Sequence, residues 1–200
     1  ILLIVVLLLS GCSSIKKLDI FTMEVERQPL ALEKPVIKEL EKLTVSIGLL
    51  IKIQVRETLG LCFFRIVIAE QKDNIIKIWA EMKGWTYLNK QGIQLYTLRI
   101  LSKAPAFVSE LIWATTMAWA IEKKSSNKAR LLAIFDSEGY SKKLVRYFKL
   151  IGFKIVKEVG SNPVDLLLRL VWGGAGTLMN GECISILKRL EKKLSLIEKS

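Results

Sequence analysis

The chain contains no histidine among its 200 residues. That absence removes the Ser-His-Asp and Cys-His nucleophile pairs and every zinc site that uses an imidazole, and much hydrolase chemistry goes with them. Cysteine is scarce too. Cys12, Cys62 and Cys183 stand far apart without a CxxC pair, so neither a thiolate metal site nor a disulfide framework is indicated, and no metal is expected. Cys62, inside "LCFFRIVI", reads as a small buried hydrophobe. Internal repeats and low-complexity linkers are also missing.

What is present is an apolar fraction of 51%, enough for one domain with a proper core and far from the composition of a disordered chain. A formal net charge of +12 suits an anionic partner such as phosphates, nucleic acid or a lipid surface, although a charge total says nothing about fold. The basic excess is greater in residues 101–200, where Lys142, Lys143, Arg146 and Lys149 cluster.

The first residues, "ILLIVVLLLSGCSS", resemble a bacterial lipoprotein signal in which Cys12 would carry lipid. The run is too short for a membrane span, and it has no initiator Met and no positive n-region. A hydrophobic strand or helix, or a mis-started reading of upstream sequence, accounts for the same residues. A lipid anchor would tie the body to a membrane outside the cytoplasm. Without one, a cytoplasmic location is expected.

Further on, "EKPVIKELEKLTVSIG" places Val36, Leu40, Leu43 and Ile47 at helical spacing behind Pro35, which predicts a helix ending near Gly48. "LLIKIQVRE" alternates as a strand, and "LCFFRIVIA", "IIKIWAEMKGW" and "GIQLYTLRIL" follow as strands joined by short polar loops, as in an antiparallel meander. From Pro105 the period becomes helical through "PAFVSELIWATTMAWAIEKK". A strand "ARLLAIF", an amphipathic helix "SKKLVRYFKLI" capped by Gly152, and a strand "FKIVKEV" come next. Residues 164–172, "VDLLLRLVW", are expected as the last strand, with "GGAG" a turn or bulge after it. "ISILKRLEKKLSLIEK" has Ile184, Leu187, Leu190 and Leu194 on one stripe, as a surface helix or a docking helix would.

This element order, together with "YFKLIGF" at 147–153, resembles the GNAT family of acyl-CoA N-acyltransferases over about residues 33–172. The resemblance implies an α/β fold with a twisted, mostly antiparallel mixed sheet flanked by helices. Residues 15–182 would form the GNAT-like domain, residues 1–14 a signal-like or mis-started segment, and residues 183–200 an accessory amphipathic helix. It also implies an acyl group, acetyl first of all, moved from acetyl-CoA or another acyl-CoA to a small-molecule or protein amine, without a metal.

The family's cofactor contacts would fall on main-chain groups of Leu98 and Ile100 and on the loop 103–109. There Lys103 would stand for a basic residue, Ala106 and Val108 occupy positions the family gives to glycine, and Ser109 lies at the helix start. Ser141 falls where many members use an asparagine to contact the cofactor. The family's acid, a tyrosine, would protonate the departing thiolate. Its position holds Phe148, and Tyr147 sits one residue earlier, about 100° round the helix. Tyr147 is therefore the candidate acid, with a packed aromatic as the alternative. Glu81 and Glu110 are the candidate bases, and the basic face around Lys142 either meets phosphates or is simply solvated.

Other readings stand beside this one: a GNAT-like scaffold without catalysis, and a lipoprotein anchored through Cys12. A platform for single-stranded nucleic acid would use Trp79, Trp85 and Tyr87 beside Lys77 and Lys83. Strand alternation places Trp79, Glu81, Lys83 and Trp85 on one face, and the acid among them counts against it.

Overall fold

Gly48, in the left-handed region at φ 74°, closes a first helix α1 (Val36–Ser46). α1 buries Val36, Ile37, Leu40 and Thr44. Four antiparallel strands follow: β1 (Leu49–Thr58), β2 (Leu61–Lys72), β3 (Ile75–Tyr87) and β4 (Ile93–Ile100). β1 and β2 are joined by Leu59-Gly60 and β2 and β3 by Asp73-Asn74. All four residues have positive φ, as the tight turns that match strand twist require. The computed structural model describes residues 36–87, 92–105, 107–124, 126–134 and 140–195, the side chains of Tyr140 and Ser141 excepted. The signal-like residues 1–14 and Cys12 lie outside it.

Helix α2 (Val108–Lys124) carries the chain to β5 (Lys128–Ile134), which pairs parallel to β4. Helix α3 (Tyr140–Ile151) leads to β6 (Lys154–Val159) at the far edge, and β7 (Gly176–Glu182) slots between β5 and β6, antiparallel to both. The sheet order is β1-β2-β3-β4-β5-β7-β6. The result is the expected α/β architecture, a mixed and mostly antiparallel sheet flanked by helices.

One element differs from expectation. Residues 164–172 are not a strand. Pro163–Asp165 forms a 3-10 turn, opened by the Asn162 side chain accepting from the Val164 N–H, and continues as helix α4 (Leu166–Trp172) up to Gly173 at φ 81°. The run "VDLLLRLVW" has no alternation, and a short continuous apolar run does not distinguish strand from helix. The final strand, β7, begins in the glycine-rich stretch instead.

Helices α1, α2, α3 and α5 (Cys183–Leu194) contribute side chains to one large core against one face of the sheet. α2 is buried along nearly its whole length, and Trp113 is almost inaccessible. The amphipathic stripe of α5 finds its partner inside the chain: Ile186, Leu187, Leu190 and Leu194 are buried where α5 packs on α2. Glu122 near the end of α2 caps α1, its Oε1 accepting from the Ile37 N–H at 3.0 Å. On the reverse face α4 lays Trp172 against Leu132, Val159 and Leu178 in a smaller core. No helix among the described residues is long and apolar enough to cross a membrane.

Candidate functional site

The sheet opens at one place. Between β3 and β4 the register runs from Lys83 opposite Thr97 to Gly84 opposite Leu95, leaving Tyr96 as an extra residue in β4. Such a bulge bends its strand and sharpens its twist. At the same level the pairing of β4 with β5 stops: Ile93, Gln94 and Leu95 lie opposite Ala129, Arg130 and Leu131, and no pair follows. Residues 96–100 of β4 therefore keep β3 on one side and have no strand on the other, with polar main-chain groups along the free edge. Gly84 permits the close approach. A Cβ there would stand 2.4 Å from the Gln94 carbonyl oxygen and 2.3 Å from the Phe64 ring.

Leu98 and Ile100 lie in this unpaired stretch, Leu98 half-buried against the main core and Ile100 exposed. Beyond them Lys103 is exposed. The chain then tightens into turns in which the Ala104 N–H donates to the Leu101 carbonyl at 2.9 Å and the Val108 N–H to the Pro105 carbonyl at 3.0 Å. Val108 sends its side chain into the core, where it is fully buried, so the side chain does not obstruct the helix start and the N–H is already used. Ala106 and the Ser141 side chain lie outside the described residues.

Tyr147 reaches from α3 to the first turns of α2. Its hydroxyl accepts a hydrogen bond from the Trp113 indole N–H at 2.8 Å and shares a second with Ser109 Oγ at 2.9 Å. Two of the predicted site residues, Ser109 and Tyr147, are thus brought together. The third partner, Trp113, gave no sequence signal beyond an apolar helical position. Phe148, the residue after Tyr147, turns into the core and packs edge-on to Trp113 and to Phe153. Gly152, at φ 127°, ends α3 with its N–H on the Phe148 carbonyl.

The two candidate bases sit elsewhere. Ala80 and Met82 face the main core, so Glu81 stands on the reverse face of β3, where its Oε1 meets Arg65 Nε at 2.5 Å and Lys83 Nζ at 3.3 Å. Burial alone would raise its proton affinity, but the hydrogen bonds and charges of Arg65 and Lys83 prevail and hold the carboxyl below its ordinary range. Glu81 is therefore a firmly ionised carboxylate rather than a ready proton acceptor. Glu110 faces α5, its Oε1 3.6 Å from Lys193 Nζ, while its Oε2 is buried without a hydrogen-bond partner among the described residues.

On the reverse side of the opening Trp85 packs against both Tyr96 and Trp172, at centroid distances of 5.5 and 5.2 Å. The bulge residue and the α4 tryptophan come together here from distant parts of the sequence, and no local pattern announced the cluster. The expected single face of Trp79, Glu81, Lys83 and Trp85 does not form. A second register shift, opposite Ile68 and Ala69, makes Trp79 an extra residue of β3, and Trp79 joins the main core while donating to Glu70 at 3.0 Å. Lys142, Lys143, Arg146 and Lys149 are exposed on α3.

No protein-family model matches the chain, and no curated protein matches it. Among solved structures it is similar to a spermidine N-acetyltransferase chimera from Vibrio cholerae, at 10% identity and a TM-score of 0.43 over 63% of this chain and 69% of that one. It is also similar to nourseothricin acetyltransferase, at 8% identity and a TM-score of 0.44 over 68% and 88% of the two chains. A third is an N-acetylglutamate synthase from Neisseria gonorrhoeae complexed with coenzyme A and N-acetyl-glutamate, at 13% identity and a TM-score of 0.38 over 78% of this chain and 34% of that one. With four meandering strands, a bulged β4 that parts from a parallel β5, and β7 inserted before β6, the chain has an α/β fold built on a mixed, mostly antiparallel seven-stranded sheet flanked by helices.

Proposed function

We propose that the chain transfers an acyl group, acetyl in the first instance, from an acyl-CoA to the nitrogen of an amine. The observation that carries this reading is the opening between β4 and β5, with its free main-chain edge along residues 96–100. An extended ligand with amide groups of its own, such as a pantetheine arm, can pair with that edge as an added strand would. Leu98 and Ile100 would supply main-chain contacts there. Lys103 offers a point charge to phosphate, and the start of α2 a partial positive charge.

The fit is better along the strand than in the loop. The loop lacks glycines, and the Ala104 and Val108 N–H groups are spent on its own carbonyls. Phosphate recognition would therefore rest on Lys103 and on the basic face of α3.

In such a transfer a neutral amine attacks the thioester carbonyl and the leaving thiolate takes up a proton. Beside the Ser109 hydroxyl, Tyr147 offers a phenolic hydroxyl near the start of α2. Because Trp113 donates to it, its own proton is free to be given onward, to Ser109 or to a thiolate. Glu81, held ionised, fits the role of orienting the amine better than that of removing its proton. The reverse face carries Arg65, Lys83 and Arg99 against Glu81, so an amine attached to a neutral or anionic body suits it better than a polyamine.

One observation favours a second reading, a GNAT-like scaffold that binds a ligand or partner without turnover: Phe148 occupies the acid position and Tyr147 is held by two neighbours. The test is a thermal-shift titration with acetyl-CoA, with CoA and ATP as controls, followed by thiol release across an amine panel. Ligand at about 100 times its dissociation constant adds about 2.7 kcal/mol to a native state that alone binds it. A saturable shift with CoA compounds and thiol release with an amine support transfer. A shift without release supports the scaffold, and no shift at millimolar ligand removes the acyl-CoA reading.

A further inference from the structure

The opposite end of the β4–β5 pair holds a second feature, independent of the opening. A hollow of about 660 Å³ is bounded by the beginnings of β4, β5 and β6, the end of β7 and the start of α5. The hollow is lined as far as Gln94 and Arg130, and the opening begins beyond the Leu95–Leu131 pair, so the two are neighbouring places on either side of that pair. Its volume is that of a site for a metabolite or nucleotide.

Four cationic side chains line it: Lys128, Arg130, Lys154 and Arg189. The register sets two of them in one row across the sheet, with Arg130 opposite Asn180 and Asn180 opposite Lys154. None of the four forms a salt bridge with a described residue. Both guanidinium groups are oriented by uncharged acceptors: Arg130 Nε donates to Asn180 Oδ1 at 3.0 Å, and Arg189 Nη1 to the Leu150 carbonyl at 3.1 Å. These bonds fix direction without neutralising charge. The one carboxylate in the lining, Glu182, is turned to other work, accepting from Asn127 Nδ2 at 3.1 Å and from Ser185 Oγ at 2.5 Å. Glu182 offsets one of the four charges, since its uncharged donors leave its own charge in place, and the positive excess that remains favours an anion in the hollow. Prepositioned guanidinium groups favour planar oxyanions that accept two hydrogen bonds at once.

We propose that this hollow is a binding site for a small polyanion, a molecule with two or more phosphate or carboxylate groups, distinct from any acyl-CoA site at the opening. The test is isothermal titration calorimetry of the full chain with pyrophosphate and with citrate, at ionic strength fixed with sodium chloride. Pyrophosphate and citrate separate a preference for phosphate from one for carboxylate. One saturable site is expected, weakened by about tenfold or more in Arg130→Gln/Arg189→Gln and by a smaller factor in Lys154→Gln, whose side chain supports no hydrogen bond within the described fold. Lys38→Gln/Lys42→Gln on the exposed face of α1 removes the same charge and should leave the affinity within about twofold of the parent.

Melting temperatures without ligand show whether each variant is folded, and Lys154→Gln keeps the test decisive if the double variant is not. Saturable heat should persist with acetyl-CoA present. Absence of saturable heat with both probes, equal loss in the α1 control, or competitive displacement by acetyl-CoA would each overturn the proposal. Failure of acetyl-CoA to bind anywhere would leave it standing, since the hollow does not depend on the opening.

Discussion

The Trp113 indole donates its N–H to the Tyr147 hydroxyl at 2.8 Å, joining the buried helix α2 to the surface helix α3. The two residues lie far apart in sequence, and the bond is the polar seam of an otherwise aromatic contact that includes Phe148 and Phe153.

Tyr147→Phe removes the acceptor and leaves a buried donor. The expected cost is about 1–3 kcal/mol of stability, from the desolvated indole N–H, whatever the hydroxyl does in catalysis. Chemical denaturation measures it. A loss of thiol release in this variant counts as catalytic only if acetyl-CoA still stabilises the protein. Ser109→Ala, which leaves the Trp113–Tyr147 bond intact, should be milder, and an equal or larger loss would mean that Ser109 is the main acceptor or donor in the trio.

Glu81 gives a pH prediction with a definite sign. Its proton affinity is lowered on folding, because Arg65 and Lys83 outweigh burial, so its ion pairs stabilise the protein above the unfolded carboxyl's ordinary value of about 4.3 and that stabilisation is lost as pH falls through the lower folded value. The stability difference between the parent and Glu81→Gln should be constant from pH 6 to 8, roughly, and shrink below about pH 4. Urea denaturation at several pH values tests this. A difference that grew on acidification would mean that Glu81 is protonated more readily in the fold, as a general base should be.

The helix α1, the four-strand meander, the apolar α2 and the glycine-capped α3 were legible because each is written in local pattern: helical spacing, alternation, and turn residues between them. The α4 segment was not, since "VDLLLRLVW" is apolar without a period, and β7 was hidden because its glycines and asparagine look like a loop. Of the site, Ser109 and Tyr147 could be singled out by their place relative to Gly152 and to the helix start. Their joining through Trp113 could not, because a buried tryptophan is indistinguishable in sequence from any other apolar position. Tyr96 and Trp172 meet Trp85 only once a bulge has turned one strand and a helix has crossed the reverse face.

Leu187 tests whether α5 is structural. It is 1% exposed, on the stripe that packs against α2. Leu187→Ala should cost about 2–5 kcal/mol, the range for a truncated core leucine, measurable by denaturant unfolding. A change below about 0.5 kcal/mol would place α5 among replaceable surface elements.

Gly84→Ala tests the opening itself. A Cβ at Gly84 cannot coexist with the Gln94 carbonyl at 2.4 Å and the Phe64 ring at 2.3 Å, so β3 and β4 must separate or slide where the Tyr96 bulge begins. The neighbours that would yield are main chain on one side and a core aromatic on the other, so the expected destabilisation is about 1–3 kcal/mol, as for other overpacked sites. Any stabilisation by acetyl-CoA should fall with it, since the free edge of β4 starts at that residue pair. Phe64→Leu offers the complementary change: it vacates the ring position without touching the strand backbone. Combined with Gly84→Ala it should recover part of the stability. The acyl-CoA response should not recover, because the Gln94 carbonyl still stands in the way. If the double variant regained both, the opening would be set by side-chain packing rather than by the bulge.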